Sequence, residues 1–346
     1  MTRNRILVLL FCLSSTSAFA SRATDMVMQP GDGGVLLGNY GDNGSFIYDD
    51  PYNMFYNPAY INNYSNWAII EKSNAPSLAA EGGFVTSIAT FNLGAFFDRG
   101  GAVSADFQDP YDFHPIQVLF GGDMGTISWG VSAQYGGMNG NVNGNTYANT
   151  HDLSFRAGME LANFEPFLGY ENGLESVNGS QNSINLVTVG TRYHWGEWSP
   201  YAALSTNTFN GSTSTIWGLG LGRDTRILEN VKMIYSVAYF RNTFGSENAA
   251  PLSLSFEGDV LKWLTLRAGL DYFIVDQTAG SSTLDNTLGR IGASFHFGKV
   301  SVDWAFGKQA NGATQPLETS GGSPADAQLF DIGSGFFTAA SVAYRW

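Results

Sequence analysis

The chain has 346 residues, a formal net charge of −13 and only 14% charged residues, yet it contains 42 glycines and 25 phenylalanines. This acidic balance argues against nucleic acid or an anionic surface as a partner. The only cysteine is Cys12, so a mature chain that begins beyond it is expected to have neither disulfides nor thiolate chemistry.

The first 20 residues have the pattern of a secretory leader. Two arginines come first, an apolar run follows over residues 6–13, and Ala18-Phe19-Ala20 is a small-x-small cleavage pattern. We therefore expect residues 1–20 to be a signal peptide and the mature chain to start at Ser21.

The next segment, residues 21–66, shows no regular alternation of apolar and polar residues. Its first part is rich in glycine, asparagine and aspartate and cannot bury a core of its own, whereas Phe46–Ile61 is too aromatic for a disordered arm. We expect 21–66 to be a plug packed inside the rest of the chain. The predicted plug or gate residues are Asp49, Asp50, Tyr56, Asn57, Pro58 and Ala59.

One of these positions allows two interpretations. Pro58 fixes its own φ and restricts Asn57 to extended backbone. The pair is therefore either a movable latch or a rigid corner that leads into the first strand.

Residues 67–346 are predicted to form a barrel of strands. Apolar and small polar residues alternate with a period of two, most clearly over 127–136. Very short and longer connections also alternate, as an up-and-down membrane barrel requires. The longer connections are expected at 74–80, 100–114, 138–149, 173–182, 208–212, 244–249, 276–285 and 309–335.

Counting these segments gives about 14 to 16 antiparallel strands, of which Trp67–Ser73 is the weakest. The alternative fold is a soluble antiparallel sandwich. A sandwich does not account for the tryptophans and tyrosines that recur near strand ends, where a membrane barrel has its aromatic girdles.

The last ten residues predict the closing strand. Thr338, Val342, Tyr344 and Trp346 share one face, and the strand ends on an aromatic residue. We expect this strand to seal the ring against the first one, with Tyr344 and Trp346 as the signal for the barrel-assembly machinery. The predicted fold is thus all-β, a transmembrane antiparallel up-and-down barrel in the bacterial outer membrane, surrounded by its lipids.

Charged residues on the predicted inner face are candidates for lining the lumen. They either line a polar path, bind the acidic residues of the plug, or satisfy one another as in any wide lumen. The residues are Arg156, Glu160, Arg192, Glu257, Arg267, Asp271, Arg290 and Asp303.

Enzymatic chemistry is not indicated. The four histidines are scattered along the chain, and there is no Gly-x-Ser-x-Gly elbow and no metal-ligand spacing. We expect no catalytic residues, no cofactor and no metal.

Residues 41–59 carry a more specific pattern. The acidic pair Asp49-Asp50 is followed by Asn57-Pro58-Ala59, and this stretch resembles the N-terminal segment of the FadL family of long-chain fatty-acid transporters. The resemblance implies a hatch folded into the lumen of a fourteen-stranded barrel that passes hydrophobic molecules inward. The same Asn-Pro-Ala start also resembles relatives that act in protein export.

The chain departs from that family in its loops. Most connections are short, and only 309–335 is long and rich in polar residues, whereas the family builds a greasy capture groove from extended loops. From the sequence we expect an outer-membrane channel for passive diffusion of small, hydrophobic molecules. The alternative is a general porin, or a structural or surface-export barrel with a permanently closed lumen.

Overall fold

The computed structural model describes residues 21–28, 45–73, 80–99, 114–142, 145–243, 247–277, 287–309 and 336–346. The predicted leader with Cys12, the glycine-rich stretch 31–44 and most of the long connection 309–335 lie outside these ranges. Within the ranges, no helix is both long enough and apolar enough to span a lipid bilayer.

One short α-helix, two 3-10 helical turns and sixteen strands make up the described chain. Helix α1 is Arg22–Met28, and the 3-10 turns are Pro51–Phe55 and Pro58–Asn62. The strands are β1 Trp67–Ser73, β2 Glu81–Ile88, β3 Phe91–Phe97, β4 Ile116–Met124, β5 Ile127–Val142, β6 Asn145–Leu161, β7 Phe164–Val177, β8 Ser180–Tyr193, β9 Trp198–Phe209, β10 Ser212–Leu228, β11 Val231–Asn242, β12 Glu247–Leu261, β13 Leu264–Gln277, β14 Thr287–Phe297, β15 Val300–Gln309 and β16 Phe336–Arg345.

The strands form one closed antiparallel barrel in which each strand pairs with its neighbours in sequence and β1 pairs with β16. The predicted transmembrane up-and-down barrel is confirmed, at the upper end of the predicted strand number. The fourteen strands implied by the FadL resemblance are wrong for this chain. The weakest predicted segment, β1, pairs along its whole length with β16, from Trp67 opposite Arg345 to Ser73 opposite Ala339.

The two ends of the barrel differ in their connections. The short-turn end carries tight turns such as 125–126, 162–163 and 298–299, and the chain enters β1 and leaves β16 there. This is the periplasmic end in outer-membrane barrels. The opposite end, here called the long-loop end, carries the remaining connections.

Three predicted long connections are wrong. At 138–149, 173–182 and 208–212 the strands continue, and the hairpins are longer than expected. Two of these hairpins turn at Asn178-Gly179 and Asn210-Gly211, where all four residues have positive φ. Asn-Gly is the preferred pair for such two-residue turns, because both positions need the left-handed region.

Side chains alternate between two faces of the wall. The outer face exposes apolar residues along its middle, including Val131, Leu168, Leu219 and Leu266. Tryptophans flank this belt, with Trp263 near the short-turn end and Trp217 packed on Tyr239 toward the long-loop end at a centroid distance of 5.6 Å. An apolar belt between aromatic residues is the surface that a bilayer covers.

The barrel interior is filled rather than open at the level of its core. Buried apolar residues of β1–β4, β7, β9, β11 and β12 form one cluster with residues 46–61. The hydrophobic core therefore lies between the wall and the chain that precedes β1.

Candidate functional site

Residues 45–66, here called the luminal segment, lie against the inner wall of the barrel. All residues over 51–60 are buried. Asp50 accepts a hydrogen bond from the backbone N–H two residues later at 2.7 Å, and Asn57 does the same at 3.2 Å. A proline follows each of these caps, at the first helical position, where no backbone donor is needed. The sequence thus specifies two short helical turns in place of a strand.

Glycines on the inner wall allow the luminal segment to approach the barrel backbone closely. A β-carbon at Gly158 would lie 1.9 Å from Asn57 Oδ1, and one at Gly130 would lie 2.2 Å from the carbonyl oxygen of Pro58. The same relation holds for Gly121 facing Ile61 and for Gly222 facing Ile47. No side chain fits at these distances, so the wall is shaped to receive this segment.

The corner at Asn57-Pro58 is part of this contact. The side-chain amide of Asn57 donates to the carbonyl oxygen of Met159 at 3.2 Å while its oxygen caps the following turn. Asn57 therefore serves both the local corner and the attachment to β6. These contacts describe a corner attached to the wall, and a movable latch stays a prediction.

Aromatic packing holds the first half of the luminal segment. Phe46 stacks on Tyr201 of β9 with a centroid distance of 4.6 Å and an interplanar angle of 9°. Phe46 also contacts Phe167 of β7 at 5.9 Å and Tyr56 at 5.2 Å. Since all four rings are buried, this cluster fixes the segment by apolar burial as well as by ring geometry.

A buried ion cluster joins the luminal segment to β7 and β8. Arg192, which has no exposed side-chain surface, lies 2.6 Å from Asp49 and 2.7 Å from Glu165. Its Nη1 donates to the carbonyl oxygen of Phe46 at 3.2 Å, and Tyr60 donates its hydroxyl to Glu165 at 2.9 Å. One guanidinium therefore bonds the wall and the segment at the same time, in a site where charge-assisted hydrogen bonds are strong.

Two further charged contacts anchor the segment. Tyr48 donates its hydroxyl to Glu257 of β12 at 3.0 Å, and Arg267 of β13 pairs with the same carboxylate at 2.7 Å. On the other side, Arg99 lies over the ring of Phe55 with its guanidinium carbon 3.3 Å from the centroid. Cations over aromatic faces add electrostatic attraction to this packing.

A pair of buried carboxyls connects α1 to the luminal segment. Asp25 and Asp50 face each other, and apart from this contact Asp25 Oδ1 and Oδ2 and Asp50 Oδ2 have no hydrogen-bond partner among the described residues. Burial raises the pKa of Asp50 to about 7, and the charge of Asp49 adds to the effect. Burial also raises the pKa of Asp25 well above its usual range, and the charge of Asp50 adds to the effect. The pair is thus built to hold a proton.

The eight predicted lumen-lining residues all lie on the inner face, but their bonding partners differ. Glu160 accepts from Asn63 of the luminal segment at 2.9 Å, and Arg192, Glu257 and Arg267 belong to the anchors above. Arg290 pairs with Asp271 within the wall. Arg156 Nη1 has no hydrogen-bond partner among the described residues. Asp303 is bonded by hydroxyl groups.

Residues of the site that the sequence did not single out are Glu165, Arg99 and Tyr48. Glu165 follows the turn into β7 directly, and only the register of β7 puts it on the inner face beside Arg192. Arg99 lies just beyond the end of β3, in a connection where periodicity gives no signal. Among the described residues, no group of histidine, cysteine, aspartate or glutamate has the arrangement of a metal site.

The inner wall above the luminal segment has an apolar sector and a polar one. Ala238 and Phe240 of β11 and Ala249 of β12 are buried and belong to the same cluster as the segment, with Ile216 of β10 packed against them. The polar sector, on β5, β6, β8 and β9, consists of Ser132, Gln134, Ser154, Thr188 and Ser205. Except for the partly buried Ile216, the side chains of both sectors are buried in this structure.

No protein-family model and no curated protein matches this chain. Among solved structures, the barrel is similar to a bacterial polysaccharide outer membrane secretin, with 10% identity over 82% of this chain and 98% of that chain and a TM-score of 0.53. It is also similar to CdiB from Escherichia coli, with 11% identity over 81% of this chain and 63% of that chain and a TM-score of 0.50.

CdiB from Acinetobacter baumannii also matches, with 9% identity over 81% of this chain and a TM-score of 0.49. The chain spans 60% of that protein's length. At such identities the likeness concerns the fold alone, which is that of outer-membrane barrels.

Proposed function

We propose that this protein is a transport barrel of the bacterial outer membrane, in which the luminal segment is a hatch and small hydrophobic molecules diffuse passively. The apolar outer belt and the likeness to outer-membrane barrels support the location. Passage requires the hatch to move away from part of the wall. No chemical step is involved.

The apolar inner sector is the observation that supports a hydrophobic cargo. Phe240, Ala238 and Ala249 belong to the same buried apolar cluster as the aromatic residues of the luminal segment. A hydrophobic solute that enters at the long-loop end keeps apolar contact along this sector, which lowers the free energy of each step. The hatch then controls the last part of the route.

The ion anchors support a hatch rather than a bare pore. Arg192 and Arg267 hold the segment through carboxylates of the wall and of the segment itself. Such contacts are directional, and a solute that competes for the apolar packing of Phe46 would weaken them one at a time. The segment therefore has a defined closed state from which it can shift.

The second candidate is passage or export of a polar molecule, which the polar sector favours. Ser132, Gln134 and Ser154 present hydroxyl and amide groups to the interior. The secretin with a similar barrel is named for polysaccharide, and a polar polymer would use hydroxyl-lined walls. A barrel in which the luminal segment closes the lumen permanently would transport neither hydrophobic nor polar molecules.

Uptake by whole cells separates these candidates. The probes are a hydrophobic dye that the intact outer membrane excludes and a trisaccharide of similar size. Ala238→Asp puts a charge into the apolar sector, and Ser132→Asp is the matched control in the polar sector. We expect Ala238→Asp to lower dye uptake several-fold and Ser132→Asp to leave it unchanged. If only trisaccharide uptake responds, and only to Ser132→Asp, the hydrophobic route is wrong.

A further inference from the structure

Helix α1 is docked on the inner wall formed by β12–β16. Ser255 donates its hydroxyl to the carbonyl oxygen of Val27 at 3.4 Å, and that oxygen lies 2.2 Å from where a β-carbon of Gly269 would be. Ala23 and Val27 pack against Ala305 of β15. The helix is therefore seated in the wall in the same manner as the luminal segment.

The residue that precedes α1 is also fully buried. Ser21 has no exposed surface, and its hydroxyl accepts a hydrogen bond from the backbone N–H of Thr24 at 3.2 Å. The same side chain interacts with the carboxylate of Asp303 on β15. The first residue expected after leader cleavage thus lies beside a buried acid of the wall.

Asp303 is bonded only by neutral donors among the described residues. The hydroxyl groups of Ser294 and Ser341 donate to it, the latter at 3.3 Å. Its side chain has no exposed surface. The charge of Arg267 acts on Asp303, but no cation forms a direct ion pair with it among the described residues, and hydroxyl groups replace only part of the hydration that a buried carboxylate loses.

The surrounding charges do not balance. Arg267 pairs with Glu257, and Arg290 pairs with Asp271, so both guanidinium groups already have a carboxylate of their own. His296 on β14 is hydrogen-bonded to two hydroxyl groups. This corner therefore has three described carboxylates for two arginines, and the charge of Arg267 acts on both Glu257 and Asp303.

We propose that the α-ammonium group of Ser21 forms an ion pair with Asp303, and that the inner wall at Asp303 is a binding site for the processed N-terminus. Hydrolysis of the Ala20–Ser21 peptide bond consumes one water, leaves a carboxylate on Ala20 and an amine on Ser21, and the amine takes up a proton at neutral pH. The ammonium that results pairs with Asp303. An unprocessed chain has an amide nitrogen at this position and carries no charge there.

This ion pair makes the docking of α1 on the wall depend on leader cleavage. The docked helix in turn holds Asp25 opposite Asp50, so the processed N-terminus also helps to position the luminal segment. The inference depends on cleavage after Ala20 and is independent of the cargo. A failure of the transport proposal leaves it untouched.

The test is a double-mutant cycle on the full-length precursor expressed with its own leader. One alanine inserted between Ala20 and Ser21 moves the ammonium one residue, about 3.8 Å along the chain, while Ala18 and Ala20 keep the cleavage pattern. Asp303→Asn removes the charge at the other side and keeps the shape. Intact mass establishes the N-terminus of each purified protein, and heat-modifiable gel mobility gives its unfolding temperature.

We expect each single change to lower the unfolding temperature by several degrees and the double variant to be no worse than either one, because both remove the same ion pair. Independent, additive losses would overturn the proposal. A wild-type mass that does not begin at Ser21 would overturn it as well.

Amine labelling gives a second readout that does not depend on the assembly of any variant. In the folded wild type, the α-amine is expected to resist an amine-reactive ester at pH 8, whereas Lys299 in an exposed turn reacts and serves as the internal control. Asp303→Asn or the inserted alanine should raise α-amine labelling at least tenfold. Equal labelling of the α-amine and Lys299 in the wild type would contradict the buried pair.

The pH dependence has a defined sign. Pairing with Asp303 raises the pKa of the ammonium above its unfolded value of about 8, so its contribution is complete below that pH and is lost as the pH rises through the folded pKa. The charged and titratable groups around Asp303 are Arg267 on β13 and His296 on β14, with the pairs Arg267–Glu257 and Arg290–Asp271 beside them. The unfolding temperature of the wild type should therefore fall to that of the inserted-alanine variant between about pH 8 and pH 11. A difference in unfolding temperature that stays constant over this range would contradict the ion pair.

Discussion

The guanidinium of Arg192 lies 2.6 Å from the carboxylate of Asp49, and this contact joins a fully buried cation of the barrel wall to the segment inside the lumen. The same guanidinium is paired with Glu165 at 2.7 Å. Removal of the arginine therefore leaves Glu165 buried without its main partner. The contact is directional and charged, so it sets the closed position of the luminal segment more sharply than apolar packing does.

Arg192→Gln should loosen the luminal segment and destabilise the protein. Breaking a buried pair by removal of one partner costs about 3–5 kcal/mol. We expect a lower unfolding temperature and a larger ion conductance in planar bilayers. Arg223→Gln is the control, because Arg223 pairs with Glu197 at the exposed short-turn end and does not contact the segment. Equal conductance of the two variants would mean that Arg192 does not hold the hatch.

The wall glycines give a steric prediction. Gly130→Ala places a methyl group 2.2 Å from the carbonyl oxygen of Pro58, so the segment has to shift. Overpacking of this kind costs about 1–3 kcal/mol. Gly169→Ala is the control, since its nearest neighbour would be 3.6 Å away. Thermal unfolding should separate them, and comparable losses would show that the segment does not press on the wall at Gly130.

Docking of the luminal segment should weaken as the pH rises. The folded pKa of Asp50, about 7, lies above the ordinary value of 3.8, so the docked state holds a proton that the released state gives up between these values. Stability therefore falls as the pH increases from about 4 to 7. The neighbouring charges are Asp49 on the segment, Glu71 on β1 and Arg99 beyond β3.

Asp50→Asn should flatten this pH dependence, because the amide does not titrate and can still cap the following turn. The measurement is the unfolding temperature at pH 5 and pH 8, with Asp123→Asn at an exposed turn as the control. The wild type and the control should be less stable at pH 8, while the stability of Asp50→Asn changes little. Asp50 is not the cause if Asp50→Asn keeps the full difference.

The closing strand gives a prediction about assembly. Trp346 donates its backbone N–H to the carbonyl oxygen of Asn66 at 3.1 Å and stacks on Tyr344 at a centroid distance of 6.3 Å. Trp346→Ala should reduce the fraction of chain that reaches the folded, heat-modifiable form in cells. Trp304→Ala, an exposed aromatic on the outer face of β15, is the control. Similar yields would argue against a role for Trp346 in recognition by the assembly machinery.

Most of the barrel could be predicted from the sequence because its strands have one lipid-facing side. Alternation along residues such as Leu266 and Arg267 fixes which side chain points outward, and a one-residue error would reverse every position. The lengths of the hairpins were harder to predict. The strands around Asn178-Gly179 and Asn210-Gly211 extend beyond the apolar belt, where the alternation fades although the Asn-Gly turns are visible in the sequence.

The interior was predicted less completely. Asp50 and Asn57 were singled out in the sequence as plug or gate residues, but their role as caps of two short helical turns was not predicted. The pairing of Arg192 with Asp49 depends on the register of distant strands, and no local pattern encodes it. Helix α1 has seven residues and no repeat of its apolar face, so it gave no signal before the structure.

A reversible crosslink tests the central claim, that the luminal segment is a hatch which must leave the wall for transport. A β-carbon at Gly121 would lie 2.6 Å from Cγ2 of Ile61, so the pair Ile61→Cys and Gly121→Cys is placed to form a disulfide. The one native cysteine, Cys12, lies in the expected leader. The control pair, Ala202→Cys and Leu219→Cys, joins β9 and β10 on the outer face.

Dye uptake is measured in cells that carry either oxidised pair, before and after reduction. The account predicts that the oxidised hatch pair stops uptake, that reduction restores it, and that the control pair transports in both states. If the oxidised hatch pair carries dye as fast as its reduced form, the segment is a fixed part of the barrel and the hatch is wrong.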